Sequence, residues 1–202
     1  MSSQFSAQDL KQIDAGIRDK YIKVAETPEG HFKYPTGRNG LKGLGYNQQF
    51  MADLSDRVAD SFCGVGNPFS LGEIPSGGRV LDIGCGAGVD TLLAAKLAGA
   101  SGKVLGIDLS AEMVQKANAN KKKVGADNID FQQGEVQDLV GMEALFHVVI
   151  SNGVFNLIPE KEAALQAVYR LLKPGGMLFL ADQFVSGVPS EKQKDRVATW
   201  FQ

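Results

Sequence analysis

The sequence predicts an α/β fold, a doubly wound and mostly parallel sheet of at least five strands with flanking helices. Three observations predict it. From residue 79 onward, short apolar runs alternate with helical patterns, which implies right-handed crossovers and a parallel sheet covered on both faces. The stretch VLDIGCGAG (80–88) places three glycines, Gly84, Gly86 and Gly88, directly after the first of these runs. In such sheets ligands bind beyond the carboxyl ends of the strands, where the strand order reverses. The 202 residues are 44% hydrophobic, enough for one sizeable core with an appended subdomain.

The elements follow in order. Residues 6–25 carry Leu10, Ile13, Ile17, Tyr21 and Val24 at spacings of three and four, the stripe of an amphipathic helix. Residues 27–45 hold two prolines and five glycines and read as a loop. Residues 46–62 predict a second helix with Tyr46, Phe50, Leu54 and Val58 on one face, and 64–69 a turn. Strands are expected at 79–83, 103–108, 128–132, 146–151 and 177–182. A helix at 90–98 is rich in Leu and Ala. The next is capped by Ser110, carries Lys121, Lys122 and Lys123 in its last turn and stops at Gly125. Residues 137–145 are weakly helical. Pro159 opens a helix with Leu165, Val168 and Leu172 turned inward, and KPGG (173–176) ends it. A last helix is expected at 190–201, whose Val197, Trp200 and Phe201 require an apolar partner.

Bulk properties exclude several classes. The net charge of −2 gives no basic field for nucleic acid or lipid. Two cysteines without a CxxC pair, and two histidines, supply no metal cluster, so no metal is expected. The first residues do not read as a signal peptide, and no run reaches the ~18 apolar residues of a membrane span. A cytoplasmic location is the expectation.

A tight strand-to-helix turn needs one glycine; three imply that backbone is bared to a ligand. The dinucleotide pattern G-x-G-x-x-G fails in both registers, ending at Val89 or Thr91, and no P-loop lysine follows. Asp108 ends the second strand, 20 residues past Gly88, where a carboxylate can accept both hydroxyls of a ribose.

The pattern D-x-G-x-G-x-G from Asp82, the acid at Asp108 and KPGG before the fifth strand together resemble class I S-adenosylmethionine-dependent methyltransferases over residues 79–183. The resemblance implies a Rossmann-like core with S-adenosylmethionine as cofactor. The loop of Gly84, Cys85, Gly86 and Gly88 would pass under its amino-acid part, with Cys85 a small buried residue. Asp82 would hold the ammonium end, directly or through water. Leu109 and Met113 would face adenine, though Met113 reads equally as helix core. Glu135 and the Val136 N–H would reach the adenine edge. Asn152, near the departing methyl, would turn its carbonyl to the ammonium. An N-terminal cap (1–70) would cover the active site of a core at 71–183, with 184–202 as a C-terminal helix. Members usually add an antiparallel strand pair after the fifth strand; it is missing here, which makes the chain a truncated piece or leaves a sheet edge open to a homodimer.

On the acceptor side, His31 and Tyr34 lie in the loop best suited to form a lid, and Arg38 there clamps a carboxylate or is solvated. His31 is either catalytic or solvated; no general base is assigned. The runs at 149–176, 64–68, 80–95 and 106–117 are similar to the arsenite methyltransferase branch. That branch carries a cysteine where this chain has Gly153, and further cysteines elsewhere. Trivalent arsenic wants about three sulfur ligands, and here only Cys63 lies in the acceptor region. The expected function is methyl transfer to a small-molecule acceptor. Arsenite methylation and a non-catalytic cofactor-binding module are the alternatives, and the missing third glycine disfavours a nicotinamide oxidoreductase.

Overall fold

The computed structural model describes residues 5–184 together with 197 and 200. Five strands, β1 (Arg79–Ile83), β2 (Lys103–Asp108), β3 (Ile129–Gln133), β4 (Phe146–Asn152) and β5 (Leu172–Ala181), form one all-parallel sheet in the order β3-β2-β1-β4-β5. The order reverses between β1 and β4. Successive residues of β1 are buried on opposite faces. Val80 packs with Val104, Val148 and Phe179 beneath the helix α5 (Val89–Ala98) and the N-terminal segment. Leu81 packs with Ile107, Val149 and the Ala164, Val168 and Leu171 face of a C-terminal helix. A strand covered on both faces has no polar side to alternate with, which explains its continuous apolar run.

The expected bounds of the first two strands match the structure, as does the capping of the helix between β2 and β3. That helix, α6 (Ala111–Val124), starts where the Ser110 hydroxyl accepts from the Met113 N–H at 3.2 Å and ends at Gly125 with φ 66°.

The N-terminal segment differs from expectation after its first helix. That helix, α1 (Ala7–Glu26), opens on a capping box between Ser6 and Asp9. The loop predicted at 27–45 contains a short helix, α2 (Gly37–Gly43). The single helix predicted at 46–62 is two, α3 (Gln48–Asp53) and α4 (Asp56–Ala59). Leu54 is extended and Ser55 restarts the chain. Arg38 fills the break, donating to the Met51 and Leu54 carbonyls at 2.7 and 2.8 Å and to Asp56 at 2.9 Å. Its guanidinium thus replaces the N–H groups of a missing helical turn, and it is not a substrate clamp here. The stripe itself holds, since Tyr46, Phe50, Leu54 and Val58 are all buried.

Residues 137–145 are not helical beyond a 3-10 turn at Val136–Asp138; Gly141 (φ 80°) and Ala144 (φ 51°) take left-handed conformations that no helix tolerates. The helix after Pro159 is α7 (Lys161–Leu171), whose inward residues are Ala164, Ala167, Val168 and Leu171, while Leu165 is exposed. KPGG does not precede β5 but lies inside it. Phe146 pairs with Leu172 and Val148 with Met177, so the extra residues bulge out of the ladder.

The helix expected at 190–201 lies largely outside the described residues, and Phe201 wholly so. Val197 and Trp200 find their apolar partner within the chain, packed with Phe5 and Ile13 against α1. Among the described residues no helix is long and apolar enough to cross a membrane.

Candidate active site

A cavity of about 460 Å³ opens beyond the carboxyl ends of β1, β2 and β4, at the reversal of strand order. Its size lies in the ~300–1,000 Å³ range of small-molecule sites. The floor is the glycine turn. Gly84 (φ 66°) packs under Val154, whose methyls a Cβ would strike. Gly86 (φ 51°) also needs the left-handed region, yet a Cβ there would meet nothing within 4 Å. One glycine therefore permits close packing and the other leaves open space above bared backbone. Gly88 lies behind them as the N-cap of α5, against Phe131.

Asp108 stands beside this floor. Its carboxylate accepts the Gly86 N–H at 2.8 Å and the Ser110 N–H at 2.9 Å, one on each oxygen. Burial raises its pKa, and those two N–H groups hold it back. Each oxygen keeps acceptor capacity for a further donor. Leu109 lies next to it on the wall, and Glu135 and Val136 line the far end. Burial and the neighbouring Asp138 raise Glu135.

Not all nominated residues reach the wall. Asp82 is buried behind the turn, where the Thr91 hydroxyl donates to it at 2.5 Å. Burial, and then the charge of Asp90, push its carboxyl well above the ordinary value. Cys85 and Met113 are also buried off the wall. His31 and Tyr34 do not line the cavity; the Tyr34 hydroxyl donates to the Cys63 carbonyl at 3.0 Å.

Asn152 does line the cavity, but its amide is engaged on every side. Its carbonyl, expected to face an ammonium, instead accepts the Val65 and Gly66 N–H groups at 2.8 and 3.0 Å. Its NH2 donates to the Gly66 carbonyl and the Asp90 carboxylate at 2.8 and 2.9 Å. Tyr46 donates to the other Asp90 oxygen at 2.7 Å. Burial raises Asp90 to about 6 against the pull of these two donors. This network fastens the 64–67 turn to the floor of the site.

Sequence reasoning placed the lid in the loop of His31 and Tyr34 and missed the α1 residues that line the cavity. Leu10, Ile13, Ile17 and Tyr21 of α1 line the cavity, with Asp14 and Arg18 beside them. The apolar stripe was visible; its destination was not. Cys63 also lines the cavity, and burial followed by Asp108 and Asp90 pushes its thiol up to about 12. It is a neutral thiol at ordinary pH.

The donor set fits an adenosyl ligand. There is an acceptor pair at Asp108 for hydroxyls, an open glycine floor, and apolar walls for a flat ring.

Comparison with known proteins agrees with this geometry. The profile of the methyltransferase domain matches residues 74–199, more than half of the chain. An arsenite methyltransferase of Halobacterium salinarum is 41% identical over 147 residues, covering 73% of this chain and 37% of that protein. One from Mus musculus is 32% identical over 204 residues, covering 96% of this chain and 54% of its own. The chain thus spans about half or less of the length of these curated relatives. Among solved structures, an arsenic(III) S-adenosylmethionine methyltransferase from Chlamydomonas reinhardtii superposes with a TM-score of 0.57 at 35% identity, over 71% of this chain and 48% of the other. With the profile lying across the sheet, the glycine turn and the acid at the end of β2, the chain belongs to the methyltransferase-domain family, in its S-adenosylmethionine-dependent class.

Proposed function

We propose that this chain transfers a methyl group from S-adenosylmethionine to a small-molecule acceptor. The observation that carries the reading is the pairing of Gly86 with Asp108. The open glycine backbone and a carboxylate with capacity on both oxygens face one cavity. Asp108 would accept the ribose hydroxyls, Leu109 and Val136 would flank adenine, and the Gly84–Gly86 backbone would lie under the amino-acid part. Asp82 would act from behind the turn, supporting α5 through Thr91. Bound S-adenosylmethionine supplies an electrophilic methyl on a sulfonium. The chain's own part is to orient, and to keep water out with apolar walls; holding an acceptor at near-attack distance can lower a barrier by ~7–11 kcal/mol.

On the acceptor side, Cys63, Tyr21 and Gly153 share the cavity, with Tyr34 behind Cys63. Burial keeps the Tyr21 and Tyr34 phenols and the Cys63 thiol protonated at ordinary pH. Titration calorimetry with S-adenosylmethionine and with its demethylated product S-adenosylhomocysteine tests the donor half. Absence of binding at millimolar ligand removes the reading. A panel of small acceptors, followed by mass spectrometry, tests the transfer; binding without turnover on any of them favours a non-catalytic module.

A second reading, trivalent arsenic as the acceptor, draws on the names of the relatives and on the Cys63 thiol in the cavity wall. Among the described residues only that one thiol lines the cavity, against about three preferred by the ion. Arsenite titration of the S-adenosylhomocysteine complex distinguishes the two. Free cysteines suit a reducing, cytoplasmic setting, and β5, which pairs only with β4 among the described residues, suits a homodimer through its other edge, which sedimentation tests.

A further inference from the structure

Around the floor of the cavity the chain buries carboxylates with only neutral groups beside them. Asp82 accepts from the Thr91 hydroxyl, and Asp108 from the Gly86 and Ser110 N–H groups. Asp90 accepts from the Tyr46 hydroxyl at 2.7 Å and the Asn152 amide at 2.9 Å. Among the described residues no ion pair includes Asp82, Asp90 or Asp108. The basic side chains of α1 on this side are turned elsewhere. Arg18 donates to Asp14 and to the Leu109 carbonyl, and Lys20 Nζ sits 4.9 Å from the centre of the Phe32 ring. A buried carboxylate is costly to ionise without a positive charge nearby.

These acids act on one another and on the cavity. After burial, the charges of Asp90 and Asp108 push the Asp82 carboxyl up. After burial, Asp108 and Asp90 likewise raise the Cys63 thiol, which lines the cavity, against a smaller opposing pull from Lys20. The fields of both carboxylates therefore reach the space that a ligand fills. Of the three, Asp90 is set to respond. Asp82 is pushed well above its ordinary value, and Asp108 is held back by two backbone N–H groups. Asp90 stands at about 6, and its donor Asn152 lines the cavity. The groups that face Asp90 are Tyr46 ahead of α3, Asp82 on β1, Cys63 before the 64–67 turn and the uncharged Asn152 on β4. Burial, and then Asp90, keep the Tyr46 phenol protonated.

S-adenosylmethionine carries a sulfonium and an ammonium against one carboxylate, so it brings a net positive charge. S-adenosylhomocysteine lacks the sulfonium and is neutral overall. A positive charge brought into a buried site favours the ionised carboxylate, and a ligand that favours ionisation binds more tightly as the pH rises.

We propose that Asp90 distinguishes methyl donor from product by charge: it gives up its proton when the cationic donor fills the cavity and takes one back when the neutral product replaces it. The proposal rests on the cavity being the S-adenosylmethionine site. Donor binding then releases a proton, and the loss of positive charge on transfer weakens the hold on the product.

The test is calorimetric binding of S-adenosylmethionine and S-adenosylhomocysteine to the full chain at pH 5, 6 and 7, each in two buffers of different ionisation enthalpy, which counts the protons released. The two ligands share their adenine and amino-acid groups, so their difference isolates the sulfonium. With Asp90 at about 6, the donor is expected to release about half a proton at pH 6 and to gain about tenfold in affinity from pH 5 to pH 7. The product is expected to release none and to change within about twofold. Asp90→Asn is expected to abolish the release and flatten the donor's pH profile. Equal proton counts for the two ligands overturn the proposal and leave the donor site standing, as does release that survives in Asp90→Asn. If that variant fails to fold, the wild-type comparison of the two ligands decides. Binding of neither ligand overturns both.

Discussion

The Asn152 side-chain amide stands 2.9 Å from the Asp90 carboxylate and donates to it. A residue closing β4 and a residue in the first turn of α5 are thereby joined beneath the cavity. The same amide holds both faces of the turn at Val65 and Gly66. The site's floor and its N-terminal wall are thus one hydrogen-bonded unit.

Asn152→Asp replaces that donor with a second carboxylate. A half-buried carboxylate in contact with the buried Asp90 carboxylate cannot ionise alongside it at low cost. The variant is expected to lose about 3–5 kcal/mol of stability at pH 8 and to regain part of it at pH 5, where the pair shares a proton. Urea denaturation at the two pH values measures this, and an equal loss at both contradicts it.

Asp90 itself gives a pH signature. Burial raises it to about 6, so between its ordinary value and about 6 the folded protein holds a proton that the unfolded chain has released. Its contribution to stability is full below pH ~4, declines as the pH rises towards 6 and is lost above. Asp90→Asn is expected to remove this slope, worth on the order of 3 kcal/mol across the window. The check is the difference in unfolding free energy between wild type and variant from pH 4 to 7.

The two cavity-floor glycines should fail differently. Gly84→Ala drives a Cβ into Val154 at a positive φ and is expected to cost about 2–4 kcal/mol. Gly86→Ala meets only the backbone strain, about 1–2 kcal/mol, and stays folded. Its new methyl occupies open space at the floor, so S-adenosylhomocysteine affinity is expected to drop more than tenfold. Thermal melting and calorimetry on both variants separate the effects.

Asp108→Asn retains size but must turn its NH2 toward either the Gly86 or the Ser110 N–H. Affinity for S-adenosylhomocysteine is expected to fall by about 1.5–3 kcal/mol, with the fold retained by circular dichroism. Unchanged affinity would remove Asp108 from the proposed ribose contact.

The amino-acid sequence alone determined that the sheet is parallel and where its first two strands lie, though not the start of β5. Continuous apolar runs fixed β1 and β2, Ser110 and Gly125 bounded α6, and the glycine turn marked where a ligand fits, because burial on two faces and helix capping are written in adjacent residues. What it could not determine was which distant groups would meet. Asn152 bonds to residues 86 and 87 positions earlier, and the α1 stripe covers a cavity instead of the sheet. Arg38 splices two helices with a side chain from a third. Periodicity states that a face must be covered but not by what, since apolar attraction is non-directional. Only the assembled chain, by satisfying buried donors and acceptors together, selects the partner.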